Sequence, residues 1–133
     1  MIVSTRGRYA LHIMTALGSS GGYASLREIA EQEGIPHKYS ENIMTALAKA
    51  GFVETSRGKN GGYRLARAPE QYTIAEILRT VETSFSVAGC TESEGSCPHA
   101  ETCPTHPIWK ALDETVNEFL SRYTLADIMK VKA

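Results

Sequence analysis

Cysteine is scarce in this chain, with three in 133 residues, at positions 90, 97 and 103. That count argues against a disulfide-stapled secreted fold. Five prolines and eleven glycines are too few for a low-complexity segment, and no internal repeat is visible. No apolar run reaches the length of a membrane helix. Arg6 and Arg8 near the start are not followed by a signal-peptide apolar stretch. These absences point to a cytoplasmic protein with no membrane partner, where cysteines serve more readily as ligands or redox thiols than as structural bridges. No nucleophile–base pairing or phosphate-cradling loop is apparent. His12 and His37 fall in helical patterns and read as structural or surface residues, so the sequence does not read as an enzyme.

What is present is enough apolar residue to build a core, 42% of the chain, and an uneven distribution of charge. Residues 1–67 hold nine Lys/Arg and five acids, and residues 68–133 hold five Lys/Arg and ten acids. A basic front half and an acidic back half suggest that one end faces a polyanion.

Periodicity divides the front half into three helices and a hairpin. Tyr9, Ala10, Ile13, Met14 and Leu17 share one face of a helix from Arg6 to Leu17. Ser25 and Glu28 match a capping box for a second helix with Leu26, Ile29 and Ala30 inward, stopping at Gly34. Pro36 opens a third, with Ile43, Leu47 and Ala50 inward and Gly51 closing it. Phe52 to Ser56 and Tyr63 to Leu65, separated by a glycine-rich turn, form a hairpin. Helix, helix, helix, hairpin is the winged helix-turn-helix order. In the back half, Thr73 and Glu76 cap a helix with Ile74, Ile77, Leu78 and Val81 inward. Ser84 to Thr105 has no periodicity, which marks a functional or disordered loop. A long helix follows Pro107, with Ile108, Leu112, Val116, Phe119, Leu120 and Tyr123 on one face, and Leu125 to Lys130 adds a last short element. The expected fold is mainly α with a small β-hairpin: a winged-helix DNA-binding domain over 1–67, then a loop and dimerisation helices over 68–133.

In a helix-turn-helix the second helix enters the major groove with its N-terminal residues at base edges. Here those are Lys38, Tyr39, Glu41, Asn42 and Thr45. Asn42 can bond an adenine edge bidentately, Glu41 can accept from cytosine N4, and Lys38 can bond guanine or phosphate. Arg57, Lys59 and Asn60 at the hairpin tip suit a phosphate backbone or a minor groove. The expected partner is double-stranded DNA with a near-palindromic operator.

Cys90, Cys97 and Cys103 are separated by six and then five residues, with His99 and His106 close by. These gaps are wide for a zinc finger. Iron–sulfur clusters are held by thiolates, with histidine able to replace cysteine. A structural zinc or a reversible disulfide remains open on spacing alone.

Arg6-Gly7-Arg8-Tyr9-Ala10, the wing Arg57-Gly58 through Gly61-Gly62-Tyr63, and Cys103-Pro104-Thr105-His106-Pro107-Ile108-Trp109 together resemble the IscR-type iron–sulfur cluster regulators. These form a branch of the Rrf-two family of bacterial winged-helix regulators, and the resemblance covers nearly the whole chain. It implies a homodimer built on the helix from Pro107 to Tyr123. It implies a [2Fe-2S] cluster on Cys90, Cys97, Cys103 and His106, an apo form alongside, and control of iron–sulfur assembly or related genes. His106 stands three residues after the last cysteine, as in that branch, which prefers it to His99. The first cysteine gap is one residue longer than is usual there. Arg8 occupies the region where nitric-oxide-sensing relatives place an acid ligand to a [4Fe-4S] cluster. The resemblance also implies that Glu41 tunes base preference. The alternative is a winged-helix redox or metal sensor using a disulfide, zinc or a [4Fe-4S] cluster, and Trp109 reads as a packing residue under the loop.

Overall fold

The structure is a computed structural model that describes residues 3–83, 85–91, 95 and 97–132. Ser4 starts the first helix, α1 (Thr5–Ser19), by accepting from the Gly7 amide at 3.2 Å. The stripe Ala10, Ile13, Met14 and Leu17 is buried as its spacing demands. Helix α2 (Leu26–Glu33) ends on Gly34 in the left-handed conformation, φ 68°. Its expected capping box does not form: Ser25 makes no side-chain cap bond, and Glu28 lies exposed in solvent. Helix α3 (His37–Lys49) starts after Pro36 and buries Ile43 and Leu47. Ala50, expected inside, is the exposed C-cap, and Met44 and Ser40 take the inward positions instead.

The chain then turns into strands β1 (Val53–Ser56) and β2 (Gly62–Leu65), paired antiparallel with Val53 opposite Leu65 and Ser56 opposite Gly62. Ala24, between α1 and α2, pairs with Tyr63 on the far side of β2, at 2.8 and 2.9 Å. That pairing explains the last glycine of the wing motif, Gly62. A Cβ on Gly62 would stand 2.3 Å from the Ala24 carbonyl oxygen, and its φ of 146° is closed to other residues.

After a 3₁₀ turn at Pro69–Gln71, helix α4 (Ile74–Val81) carries the expected capping box, with Thr73 and Glu76 exchanging bonds at 3.0 and 3.1 Å. Helix α5 (His106–Arg122) begins one residue before Pro107, and α6 (Leu125–Lys132) runs two residues past the expected end. The α5–α6 connection folds back onto the segment before α4: the Leu125 amide bonds the Tyr72 carbonyl at 2.9 Å, and the Ile74 amide bonds that of Tyr123 at 2.9 Å. The core is therefore shared. Tyr72, Ile77, Val81 and Leu125 belong to one buried cluster with Ile13, Met14, Ile43 and Leu47. Each buried Ile or Leu contributes about 1.5–3 kcal/mol.

Tyr72 ties the hairpin root to this core. Its hydroxyl donates to the Phe52 carbonyl at 2.6 Å and accepts from the Arg67 amide at 3.0 Å, while the Arg67 guanidinium covers both rings. Helix α5 packs on α4 but has no buried residue. Ile108, Leu112, Phe119 and Tyr123, spaced four, seven and four apart, form an exposed stripe, and Ile108 and Phe119 are 61% and 52% exposed. Trp109 is also exposed, on α5, rather than packed under the loop.

Candidate nucleic-acid interface and cysteine loop

Helix α3 presents Lys38, Tyr39, Glu41, Asn42 and Thr45 on its exposed side, because Ser40, Ile43, Met44 and Leu47 take the inward positions. Four of these five side chains are already engaged. Tyr39 stands edge-on to Tyr9 of α1 at 5.4 Å between ring centroids. The Thr45 hydroxyl donates back to the Glu41 carbonyl at 2.9 Å. His37, the first residue of α3, places Nε2 2.7 Å from Glu41 Oε1. Arg6 of α1 donates from Nη1 to Asn42 Oδ1. This bond takes one of the two lone pairs of Oδ1 and fixes which way the Asn42 amide is turned, and so how it meets the donor–acceptor pair of an adenine edge.

The hairpin tip holds Arg57, Lys59 and Asn60, all exposed, and turns through Gly58, φ 105°, with the Gly61 amide on the Gly58 carbonyl at 3.1 Å. The structure thus brings two groups of exposed polar and cationic side chains to consecutive elements, α3 and the β1–β2 turn. Lower on the hairpin, Arg64 is fixed to Glu54 at 2.8 Å and lies over the Tyr23 ring, away from the tip.

The cysteine segment leaves α4 and returns at α5; positions 84, 92–94 and 96 within it lie outside the described residues. It contains a 3₁₀ turn at Gly89–Thr91 and a tight reversal in which the Cys103 amide bonds the His99 carbonyl at 2.8 Å. Cys90, Cys97 and His106 line one open cleft of about 390 Å³, together with Thr91, Ala100 and Lys110. His106 Nδ1 is buried there with no hydrogen-bond partner among the described residues. Cys103 does not line the cleft. Its Sγ lies 3.3 Å from the Thr105 hydroxyl. That hydroxyl, then the Thr105 and His106 backbone amides, holds the Cys103 thiol below its ordinary pKa, against a small opposing effect of burial. His99 is exposed and is not part of the cleft lining. Three thiols and one imidazole fit an iron–sulfur cluster in kind. Among the described residues, no three His, Cys, Asp or Glu side chains are gathered closely enough to hold a single metal ion.

A model of the Rrf2 family, described as an iron-dependent transcriptional regulator, matches residues 3–131. The chain belongs to the Rrf2 family. It is 35% identical over 131 residues to the HTH-type transcriptional regulator IscR of Erwinia tasmaniensis, covering 97% of this chain and 79% of that protein. It matches the structure of T. potens IscR at a TM-score of 0.80 and 32% identity, over 100% of this chain and 89% of the other. It also matches CymR (YrzC), the global cysteine regulator of B. subtilis, at 0.78 and 31% identity over 98% of each chain. The protein is thus an IscR-type Rrf2 transcriptional regulator with the winged-helix fold, and DNA binding goes with that family. Among the described residues, no helix is long and apolar enough to cross a membrane.

Three residues around the Rrf2 site are not evident from the sequence. Arg6 counts there only as charge, yet it reaches α3. His37 reads there as a surface residue, although its position four before Glu41 is the helical spacing at which side chains meet. Asp113 on α5 accepts from the Val87 amide at 2.6 Å, pinning the loop three residues before Cys90; only the fold brings those positions together.

Proposed function

We propose that this chain is a homodimeric regulator that reports iron–sulfur or redox status through a [2Fe-2S] cluster held by Cys90, Cys97, Cys103 and His106, and controls iron–sulfur assembly or related genes. The observation that carries this reading is the cleft between Cys90, Cys97 and His106, with a buried imidazole nitrogen that has no partner among the described residues. When bound, such a cluster supplies one-electron redox chemistry and four ligand bonds to the loop.

The chain's own residues account for the rest. His106 opens α5, so any constraint on the loop at His106 acts directly on that helix. Asp113 adds a second attachment through Val87. The exposed stripe Ile108, Leu112, Phe119 and Tyr123 is the surface on which two copies would pair through α5. Residues 1–67 do the DNA binding and residues 68–133 supply the loop and the pairing helix. Lys38, Tyr39, Glu41, Asn42 and Thr45 face base edges of a near-palindromic duplex, and Arg57, Lys59 and Asn60 hold the flanking backbone or minor groove. Regulation then requires that cluster-bound and apo forms differ in DNA affinity.

Anaerobic purification of wild type and His106→Ala, with absorbance spectra and iron and sulfide analyses, tests the ligand set. Coloured wild type with iron and sulfide in equal amounts, and a changed or lost spectrum in His106→Ala, is the expected result. Colourless wild type, carrying zinc or a reversible disulfide instead, refutes it.

A further inference from the structure

We infer that Arg6 and His37 are positioning residues that set this regulator's base preference by occupying acceptor oxygens of the two side chains beside them, Asn42 and Glu41. The inference rests on α3 being the reading helix, as proposed above.

Asparagine carries one acceptor oxygen and a two-proton donor nitrogen. Free in a major groove, the pair matches the N7 acceptor and N6 donor of adenine. Here the oxygen accepts from Arg6 Nη1. A guanidinium has donors only and stays charged, so this contact cannot reverse its sense. That bond takes one of the two lone pairs of Oδ1 and holds the oxygen toward α1, so Asn42 leads with its Nδ2 protons, which suit acceptors: guanine N7 and O6 or thymine O4. Glu41 is treated in the same way. With Oε1 on His37 at 2.7 Å, Oε2 remains to meet a cytosine amino group. The exposed Lys38 ammonium adds another donor. The front of α3 therefore presents mostly donors with one carboxylate oxygen among them. That pattern matches a G·C pair, whose guanine offers acceptors and whose cytosine offers a donor. Neither Arg6 nor His37 needs to touch a base. Arg6 comes from α1, outside the helix-turn-helix segment itself.

The full-length dimer is selected against a duplex library with a randomised centre, and the bound fraction is sequenced. Wild type, Arg6→Met, Arg6→Lys, His37→Ala, His37→Gln and Asn42→Ala are compared, with melting curves to verify folding. Wild type is expected to favour guanine over adenine at one position per half-site. Arg6→Met moves that ratio toward adenine by roughly tenfold, the scale of one bidentate contact, and Arg6→Lys, which can still donate to Asn42, stays near wild type. In the Asn42→Ala background the Arg6→Met substitution leaves that position unchanged. His37→Ala frees the carboxylate and sharpens the neighbouring cytosine preference by roughly fivefold, and His37→Gln, which can still donate to Glu41, restores it. His37 is exposed, so its variants keep the test decisive if Arg6→Met fails to fold. The inference is overturned if Asn42→Ala alters base preference while the Arg6 and His37 variants only weaken binding evenly across all sequences. If Asn42→Ala also leaves every preference intact, α3 is not the reading helix and the proposed interface falls with it.

Discussion

Tyr72→Phe removes one oxygen atom and tests how firmly the hairpin is rooted. The side chain is fully buried, and its ring keeps its contacts with Phe52 and Arg67, so no apolar volume is removed. What changes is two hydrogen bonds, to the Phe52 carbonyl at 2.6 Å and from the Arg67 amide at 3.0 Å. The two effects are unequal. The Phe52 carbonyl keeps a second partner, the Ala66 amide at 3.1 Å, whereas Arg67 is deprived of the acceptor of its backbone N–H. The stranded part-buried donor and the lost buried bond to Phe52 together cost about 1–3 kcal/mol, so about 2 kcal/mol is expected in total. For a chain of this size each kcal/mol moves the melting temperature by about 3–5 °C, giving a drop of about 6–10 °C. Wild type and variant must be melted at one protein concentration, since assembly makes the midpoint concentration-dependent. The slope of a urea transition should stay the same, because the surface exposed on unfolding does not change. A drop below about 2 °C would mean that the hydroxyl does not hold the hairpin root, and the account of how the wing is set on the core would be wrong.

Gly7→Ala should cost about 1 kcal/mol in wild type, because its Cβ would stand 2.1 Å from the Glu82 carboxylate that holds Ser4. In a Glu82→Ala background that cost should shrink toward zero, because only the 3.0 Å approach to the buried Leu78 side chain is left to oppose the helix preference for alanine, and a thermal double-mutant cycle reads this coupling. Asp127 lies below the usual carboxylate pKa because it accepts from the Thr124 amide at 2.8 Å, then from the Thr124 hydroxyl, with Lys130 nearby and burial opposing. Its contribution is therefore present above the ordinary carboxylate value and lost as pH falls through the lowered one. The stability gap between wild type and Asp127→Asn should shrink below about pH 4, as denaturation at several pH values would show. Arg57→Ala and Lys59→Ala should weaken binding to all duplexes and reduce the salt slope of log K by about 0.9 for each phosphate the variant leaves unneutralised, measured by anisotropy over a salt series.

The winged-helix order is legible in the sequence because its signals are local. Apolar residues at helical spacing, glycine at Gly34 and Gly51, and the alternation around the glycine-rich turn are written within a few residues of one another. Thr73 and Glu76 form their box for the same reason. The Ser25–Glu28 box does not form although Ser25 has an extended N-cap backbone, and the residue before it, Ala24, is paired with the distant Tyr63. The site divides in the same way. The exposed face of α3 follows from its inward residues, so Lys38, Tyr39, Glu41, Asn42 and Thr45 can be named from spacing. The partner that occupies Asn42 cannot, since Arg6 is 36 positions away. The bond from Val87 to Asp113 spans 26 positions and is equally hidden.

Two long-range contacts meet at the first turn of α1. Glu82 closes α4, at the point where the chain leaves for the cysteine loop, and its carboxylate accepts from both the amide and the hydroxyl of Ser4 at 2.9 and 3.0 Å. Two residues after Ser4, Arg6 holds Asn42 on α3. Gly7 lies between α1 and that carboxylate, where a side chain would push the two apart. The opening motif Arg6-Gly7-Arg8-Tyr9 therefore does more than begin a helix: it joins the root of the loop to α3. A row of contacts carries information only if an element in it has two arrangements that both ends can bias. Under the proposed function that element is the segment carrying Cys90, Cys97 and Cys103, which the Val87–Asp113 bond ties to α5. If the cysteines sense and α3 reads bases, as proposed, coupling between them should pass through Glu82 and Ser4, not through the hairpin, whose root Tyr72 fixes to the core.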